Sequence, residues 1–297
     1  MRTRNLATLV MIVLAAVTVS ALDQEAIDRA DELYEDDRAE AAVETLEGAL
    51  SGAGSGPERA EVYWRLARAT LAVGEALEDD GATEDEVLPV YEQGEQYGID
   101  AVEADPENHL GYYWQSANIG KWGQVKGILN ALFKAAPMRD LLKQAITQEP
   151  DHADSYYVLG QLYAQVPGVV SFGNDDYAVS LARKSIDLHE AELASGETDD
   201  VQHDFYIQLA SHLMERNWNG RKRSREHDGK REAYRATNDP LEKGWYYEGT
   251  VEIRDQSDRD EAEYLLADMI RRLEAISDRT DGQERQLERA LELMAQL

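Results

Sequence analysis

The feature that most constrains this chain is a short pattern that recurs along it. The stretch EPDHADSYYVLGQLY, residues 149–163, reads as helix, yet Gly160 sits inside it between Leu159 and Leu162. An interior glycine costs a helix roughly 1 kcal/mol against alanine. The cost becomes intelligible when the chain is laid over itself. With Tyr156 over Tyr112, Gly160 falls over Ser116, Tyr163 over Ile119, Ala145 over Ala101 and Pro150 over Pro106. Tyr63 and Tyr206 extend the tyrosine column, and Ala67 and Ala210 extend the small one. The small column therefore reads Ala67, Ser116, Gly160, Ala210, preceded by Leu66, Gln115, Leu159 and Leu209. A position that is small in every copy is what close helix–helix approach requires, because the side chains at the contact set the distance between axes.

Each copy follows an apolar helix that ends near Ala49-Leu50, Ala101-Val102, Ala145-Ile146 or Ser185-Ile186, and then a polar turn. Helix pairs of this kind cannot bury their apolar faces alone and stack into a solenoid with a concave face. The expected fold is all-α, with four to five helix pairs. A weaker first copy runs from Ala26 to Ala49, with Ala30, Leu33, Ala42 and Leu46 in register. Residues 22–216 are expected to hold the repeats. Residues 217–297 are expected to form a C-terminal helical section continuing the solenoid, with amphipathic helices over 260–276 and 283–297. The stretches 51–57 and 194–200 read as flexible breaks. The best strand candidate is 249–255, and a helix flank is an equal alternative.

Aromatic, leucine, small residue, aromatic, with an alanine and a proline in fixed places, resembles the tetratricopeptide repeat. The match is closest at Tyr156, Leu159, Gly160, Tyr163, Ala145 and Pro150. The resemblance implies a right-handed helical solenoid that binds protein partners. The family repeats at about 34 residues, whereas the tyrosine columns here are spaced by 49, 44 and 50. The repeats therefore carry insertions, which in solenoids map to one face. One insertion spans 121–137, where Trp122, Val125, Leu129, Leu132 and Phe133 recur at helical spacing. It is expected to be a separate amphipathic helix, with Pro137 in the first turn of the next one. The second, 164–176, carries Val169, Val170 and Phe172 after a turn at Pro167-Gly168. Tyr112, Tyr113, Trp114, Trp122, Leu129, Phe133, Val170 and Phe172 are the expected wall of a groove for an apolar ligand or a partner segment. Packing of the same residues into the core is the alternative.

The first residues are distinct. Arg2 and Arg4 precede an apolar run over 6–19 and the small-residue signal Val19-Ser20-Ala21. The run is shorter than the ~20 residues of a membrane span, so residues 1–21 read as a secretory signal peptide, with a retained anchor as the alternative. The mature protein is then expected to be exported, periplasmic and soluble. With no cysteine, it is not a lipoprotein and has neither disulfides nor a thiol nucleophile.

A formal net charge of −29 excludes nucleic acid as a partner. Such acidity keeps a protein dispersed or serves a cationic partner. The run NGRKRSREHDGKR opposes the trend with Arg221, Lys222, Arg223, Arg225, Lys230 and Arg231. It is expected to be a solvated helix face or loop, docking to an acidic surface being the alternative.

No phosphate loop, nucleophile elbow or zinc-protease motif is present. The six histidines, His109, His152, His189, His203, His212 and His227, include no pair at i, i+4, so no helical metal site is indicated. FGNDD at 172–176 lacks the spacing of a calcium loop. Asn174 or Asp175 capping the next helix explains it. No catalytic residue, cofactor or metal is expected, and the chain is not expected to be an enzyme.

The run over 111–188 resembles two divergent repeat families. One is the T component of tripartite ATP-independent periplasmic (TRAP) transporters. It shares an aromatic-rich helix (Tyr112 to Trp114), an inserted segment (Lys121 to Ala136), a leucine-glycine helix (Leu159 to Pro167), a glycine-aspartate loop (Gly173 to Asp176) and Ala178. The other is the regulators of microtubule dynamics, with a similar central run. The signal segment and the acidity favour the first. That resemblance implies an accessory component of a solute uptake system, holding a periplasmic solute-binding protein and a hydrophobic small molecule. A structural scaffold for envelope assemblies with no ligand is the rival. Self-association of the chain stays open.

Overall fold

A computed structural model describes residues 23–169 and 171–297. The expected signal segment and Val170 lie outside the described residues. Among those described, the chain folds into thirteen α-helices and one 3-10 turn, with no strand.

The helices pair in order. α1 (Gln24–Glu35) packs on α2 (Ala39–Leu50), α3 (Gly56–Asp79) on α4 (Glu84–Ala104), α5 (His109–Lys126) on α6 (Ile128–Gln148), and α7 (Ala153–Gln165) on α8 (Asp175–Ser195). α9 (His203–Arg216) pairs with α12 (Asp258–Glu274), so the fifth pair straddles residue 216. Between its members lie α10 (Gly220–Ala236), α11 (Pro240–Trp245) and the 3-10 turn Tyr247–Gly249, which occupies the start of the strand candidate. α13 (Asp281–Met294) packs on α9 and α12.

The helices start where the sequence supplies caps. Ser55 and Glu58, Thr83 and Glu86, Ser257 and Asp260, and Thr280 and Gln283 each form a reciprocal capping box. The glycine-rich break at 51–57 is thus the entrance to α3. Asn174 caps α8, its Oδ1 accepting from the Asp176 and Tyr177 amides at 3.0 and 3.1 Å.

The small column is buried at Ala67, Ser116, Gly160 and Ala210. A methyl group added at Gly160 would stand 3.4 Å from the Ala178 carbonyl and 3.6 Å from Leu181 Cβ, an ordinary contact. Tyr156, Leu159 and Tyr163 lie in the same core. A tighter helix contact lies elsewhere. A methyl at Gly98 would fall 2.5 Å from Gln115 Cβ and 2.6 Å from its Cα, so α4 and α5 meet there nearly backbone to backbone.

Two expectations are corrected. Residues 121–137 form no separate helix. Instead α5 runs on through Lys126, Gly127 turns the chain at φ 84°, and α6 starts at Ile128, with Pro137 well inside it. Gly127 is the one residue type that takes this φ without strain. The insertion therefore lengthens both helices of the third pair. The basic run is also not simply solvated. It forms α10, and Arg223 and Lys230 are buried at 2% and 7% exposure.

These two cations join Arg183 and Arg216 against Asp176, Glu248, Asp258 and Glu261. Arg216 donates to Asp258 at 2.8 and 2.9 Å and to Glu248 at 2.6 and 3.0 Å. Arg183 grips Glu261 with two bonds of 2.9 Å and reaches Glu248 at 3.2 Å. Lys230 donates to Glu248 at 2.5 Å and to Asp176, and Arg223 pairs with Glu261 and Asp258. Burial raises the Glu248 carboxyl, but Arg183, Arg216 and Lys230 outweigh it and hold it well below the usual carboxylate range. Four cations balance four carboxylates, and this network ties the inserted α10 and 3-10 turn to α8, α9 and α12.

Candidate functional site

The first helices of four successive pairs, α3, α5, α7 and α9, all contribute side chains to one hollow. There a pocket of about 570 Å³ opens between α5, α6 and α7, with α3, α9 and α13 at its edges. Its floor is hollow because the side chains are small. α5 contributes Tyr113, Trp114, Ala117, Gly120 and Gly123, a stripe at helical spacing, and α6 contributes Ala131, Leu132, Ala135 and Met138. Glycine lets α5 and α6 close up behind it: a methyl at Gly123 would meet Ala131 Cβ at 3.3 Å. α7 adds Val158, Leu162 and Val166, and α3 adds Leu71.

Polar groups form the rim. Tyr157 stacks on Phe205 at 4.5 Å and donates its hydroxyl to Asp204. Gln161 donates to that hydroxyl at 3.0 Å, and Arg289 of α13 pairs with Asp204 at 2.8 Å. Burial, then the Asp204 charge, push the Tyr157 phenol well above its usual pKa, so it stays a donor. Lys121 pairs with Glu75, and Lys134 with Glu95 at 2.6 Å. Each rim cation thus has its acid.

One turn before Tyr157, Asp154 is raised to about 6 by burial and by Glu192. The neutral ring of His152 lies 4.0 Å from its carboxylate. His152 is lowered to about 3 by burial and by His109, and its ring meets those of Tyr113 and His109, each at 4.8 Å. Among the described residues no group of three or more ligand side chains is arranged to hold a metal ion.

The expected groove residues divide. Tyr113 and Trp114 line the pocket. Tyr112 lies beside them, half-buried, with its hydroxyl on the Pro106 carbonyl at 3.1 Å. Trp122 is buried behind the pocket, its indole bonded to Glu92 at 3.0 Å and its ring edge-on to Phe133 at 6.1 Å. Leu129 and Phe133 point to solvent, 81% and 69% exposed, because α6 turns its other face inward. Phe172, half-buried, packs against Tyr163 at 5.6 Å, under the Arg139 guanidinium, at the edge of the core. Leu129, Phe133 and Phe172 therefore do not converge on one wall, although Ala131 and Leu132 of the first insertion and Val166 of the second do line the pocket. Sequence reasoning missed Ala117, Leu132, Gln161, Asp204 and Arg289. The first four fall on the helical stripes of α5, α6, α7 and α9. Arg289 arrives from a helix with no repeat signature.

A crystal structure of a thermophilic TPR protein from Thermus thermophilus superposes with a TM-score of 0.53 at 17% identity, covering 90% of this chain and 98% of that one. The chain has a tetratricopeptide-like helical repeat fold. At that identity the likeness speaks for the fold. The family model of regulator of microtubule dynamics protein 1-3 matches residues 26–169 of the repeat protein, the first three pairs and α7. Of the two families its central run resembles, the match falls to the one placed second on sequence grounds. No curated protein matches it.

Proposed function

We propose that this repeat protein is a binding adaptor whose concave pocket holds an apolar small molecule or the apolar tip of a partner segment. One observation carries the reading. The pocket has an apolar floor of small side chains and a polar rim whose charges are already paired, and its 570 Å³ falls in the range of small-molecule sites. A rim with satisfied charges selects against ions and leaves burial of apolar surface as the driving force.

Export rests on Arg2, Arg4 and the apolar run over 6–19. It is tested by N-terminal sequencing of the native protein, where a start at Leu22 is expected and a start at Met1 counts against it. An accessory role in a TRAP-type uptake system rests on the resemblance of residues 111–188 alone. The matched family's name speaks of microtubule dynamics, and that belongs to those proteins. No helix among the described residues is long and apolar enough to cross a membrane.

Equilibrium titration with the uncharged apolar probe N-phenyl-1-naphthylamine tests the pocket. The wild-type protein binds it, Ala117→Trp fills the floor and abolishes binding, and Leu129→Ser leaves binding unchanged. Binding that survives Ala117→Trp, or is lost with Leu129→Ser, overturns the reading.

A further inference from the structure

α13 carries the C-terminal end of the solenoid back to its N-terminal half. Arg285 meets Asp79, the last residue of α3, at 3.0 Å. One turn on, Arg289 meets Asp204 at 2.8 Å. One turn before Asp79, Glu75 lines the pocket, as Arg289 does from the opposite side. Glu75 of α3 and Arg289 of α13 thus stand on the rim, and one turn outside it on the same two helices Asp79 and Arg285 pair with each other.

The contacts of α13 differ in kind. Leu287 and Ala290 are buried in the core shared with α9 and α12. Toward α3 the helix presents the Arg285–Asp79 pair, whose side chains are 59% and 57% exposed. An exposed pair of this sort shifts an open–closed ratio by roughly 1.4- to 5-fold and is weakened by salt. A permanent seam would bury apolar side chains. A seam of exposed ions separates without exposing any, at little cost. On the other side, Arg289 grips Asp204, which also accepts from the Tyr157 hydroxyl, itself bonded by Gln161.

We infer that α13 is a latch on the concave pocket: the seam between α3 and α13, joined through Arg285 and Asp79, parts to admit the ligand and closes behind it. The inference rests on the reading that the pocket binds an apolar ligand.

The chain has no cysteine, so Asp79→Cys/Arg285→Cys creates the only thiols and can be bridged with a short bis-maleimide. Stopped-flow binding of the uncharged probe N-phenyl-1-naphthylamine is then compared before and after bridging. Bridging is expected to slow association and dissociation together, by about 10-fold or more, with little change in Kd, because a closed lid blocks both directions. Arg285→Glu is expected to speed both, by roughly 1.4- to 5-fold at low salt, with the gain disappearing at 1 M salt. Equal rates in the bridged and unbridged protein overturn the latch. If Ala117→Trp abolishes probe binding while bridging changes nothing, the latch falls and the pocket stands. If the wild type does not bind the probe, both fall.

Discussion

Glu248→Gln removes one charge from the buried network and keeps the shape of the side chain. Glu248 is 3% exposed and accepts from Arg183 at 3.2 Å, from Arg216 at 2.6 and 3.0 Å, and from Lys230 at 2.5 Å. The amide keeps one acceptor oxygen and turns an NH2 donor toward guanidinium donors. Four cations then share three carboxylates. Breaking a buried ion network by removing one partner costs about 3–5 kcal/mol, because the charge left behind is uncompensated. In a solenoid each unit leans on its neighbours alone, so the damage should be local. Amides of α10 and of the 3-10 turn should exchange hydrogen about 160- to 5,000-fold faster, while those of α1 to α3 keep their protection. Asp228→Asn, on the same helix with an 83% exposed side chain, is the control, at under about 0.5 kcal/mol. Native-state hydrogen exchange by mass spectrometry reads both variants. A change below ~1 kcal/mol at α10, or loss of protection spread evenly over the chain, would refute the reasoning.

Gly98→Ala forces its methyl onto Gln115 Cα and should cost about 2–3 kcal/mol in urea denaturation, whereas Gly160→Ala, with room for a methyl, should be near neutral and Gly160→Leu should cost several; equal small effects of all three would remove the helix-contact argument. Phe172→Ser should lower stability by about 2 kcal/mol and leave probe binding intact, since the ring packs on Tyr163 and outside the pocket; weakened binding at unchanged stability would restore it as a pocket residue. His152 and His212 are lowered to about 3 chiefly by burial, so the unfolded chain takes up protons first; stability should fall as pH drops from about 6.5 toward 3, and His212→Gln should flatten that slope in denaturation at stepped pH. Asp154, raised to about 6, has the opposite sign: its charge costs stability progressively as pH rises from about 3.8 through 6, and only modestly because the side chain is 49% exposed, so Asp154→Asn should stabilise slightly at pH 7.5 and do nothing at pH 3.5, and a loss at pH 7.5 would contradict the direction.

The pairing of helices was legible because it is written in columns. Tyr63, Tyr112, Tyr156 and Tyr206 mark the first helix of successive pairs, and the small position beside them is buried in every copy. The third pair was misread for a local reason. Trp122, Leu129 and Phe133 fit one amphipathic stripe only if the helix is continuous, and Gly127 breaks it at a positive φ. The helix beyond Gly127 is rotated, so Leu129 and Phe133 face solvent while Ala131 and Leu132 face the pocket. The basic run was misread because burial of a charge depends on distant partners. Arg223 finds Glu261 and Lys230 finds Asp176, 38 and 54 residues away, and no periodicity announces such pairs. The closure by α13 is the extreme case. Arg285 and Asp79 are 206 residues apart and meet only because the solenoid curves.

The most direct test of the central claim is native mass spectrometry of the protein purified from the cells that make it, without detergent. A pocket of about 570 Å³ with an apolar floor is expected to retain its ligand, giving a population heavier than the bare chain by roughly a few hundred daltons, the size such sites hold. Ala117→Trp, folded to the same helicity, is expected to fly as the bare chain. A wild-type protein found only at its bare mass, or an adduct carried equally by Ala117→Trp, would contradict a ligand-binding pocket on the concave face.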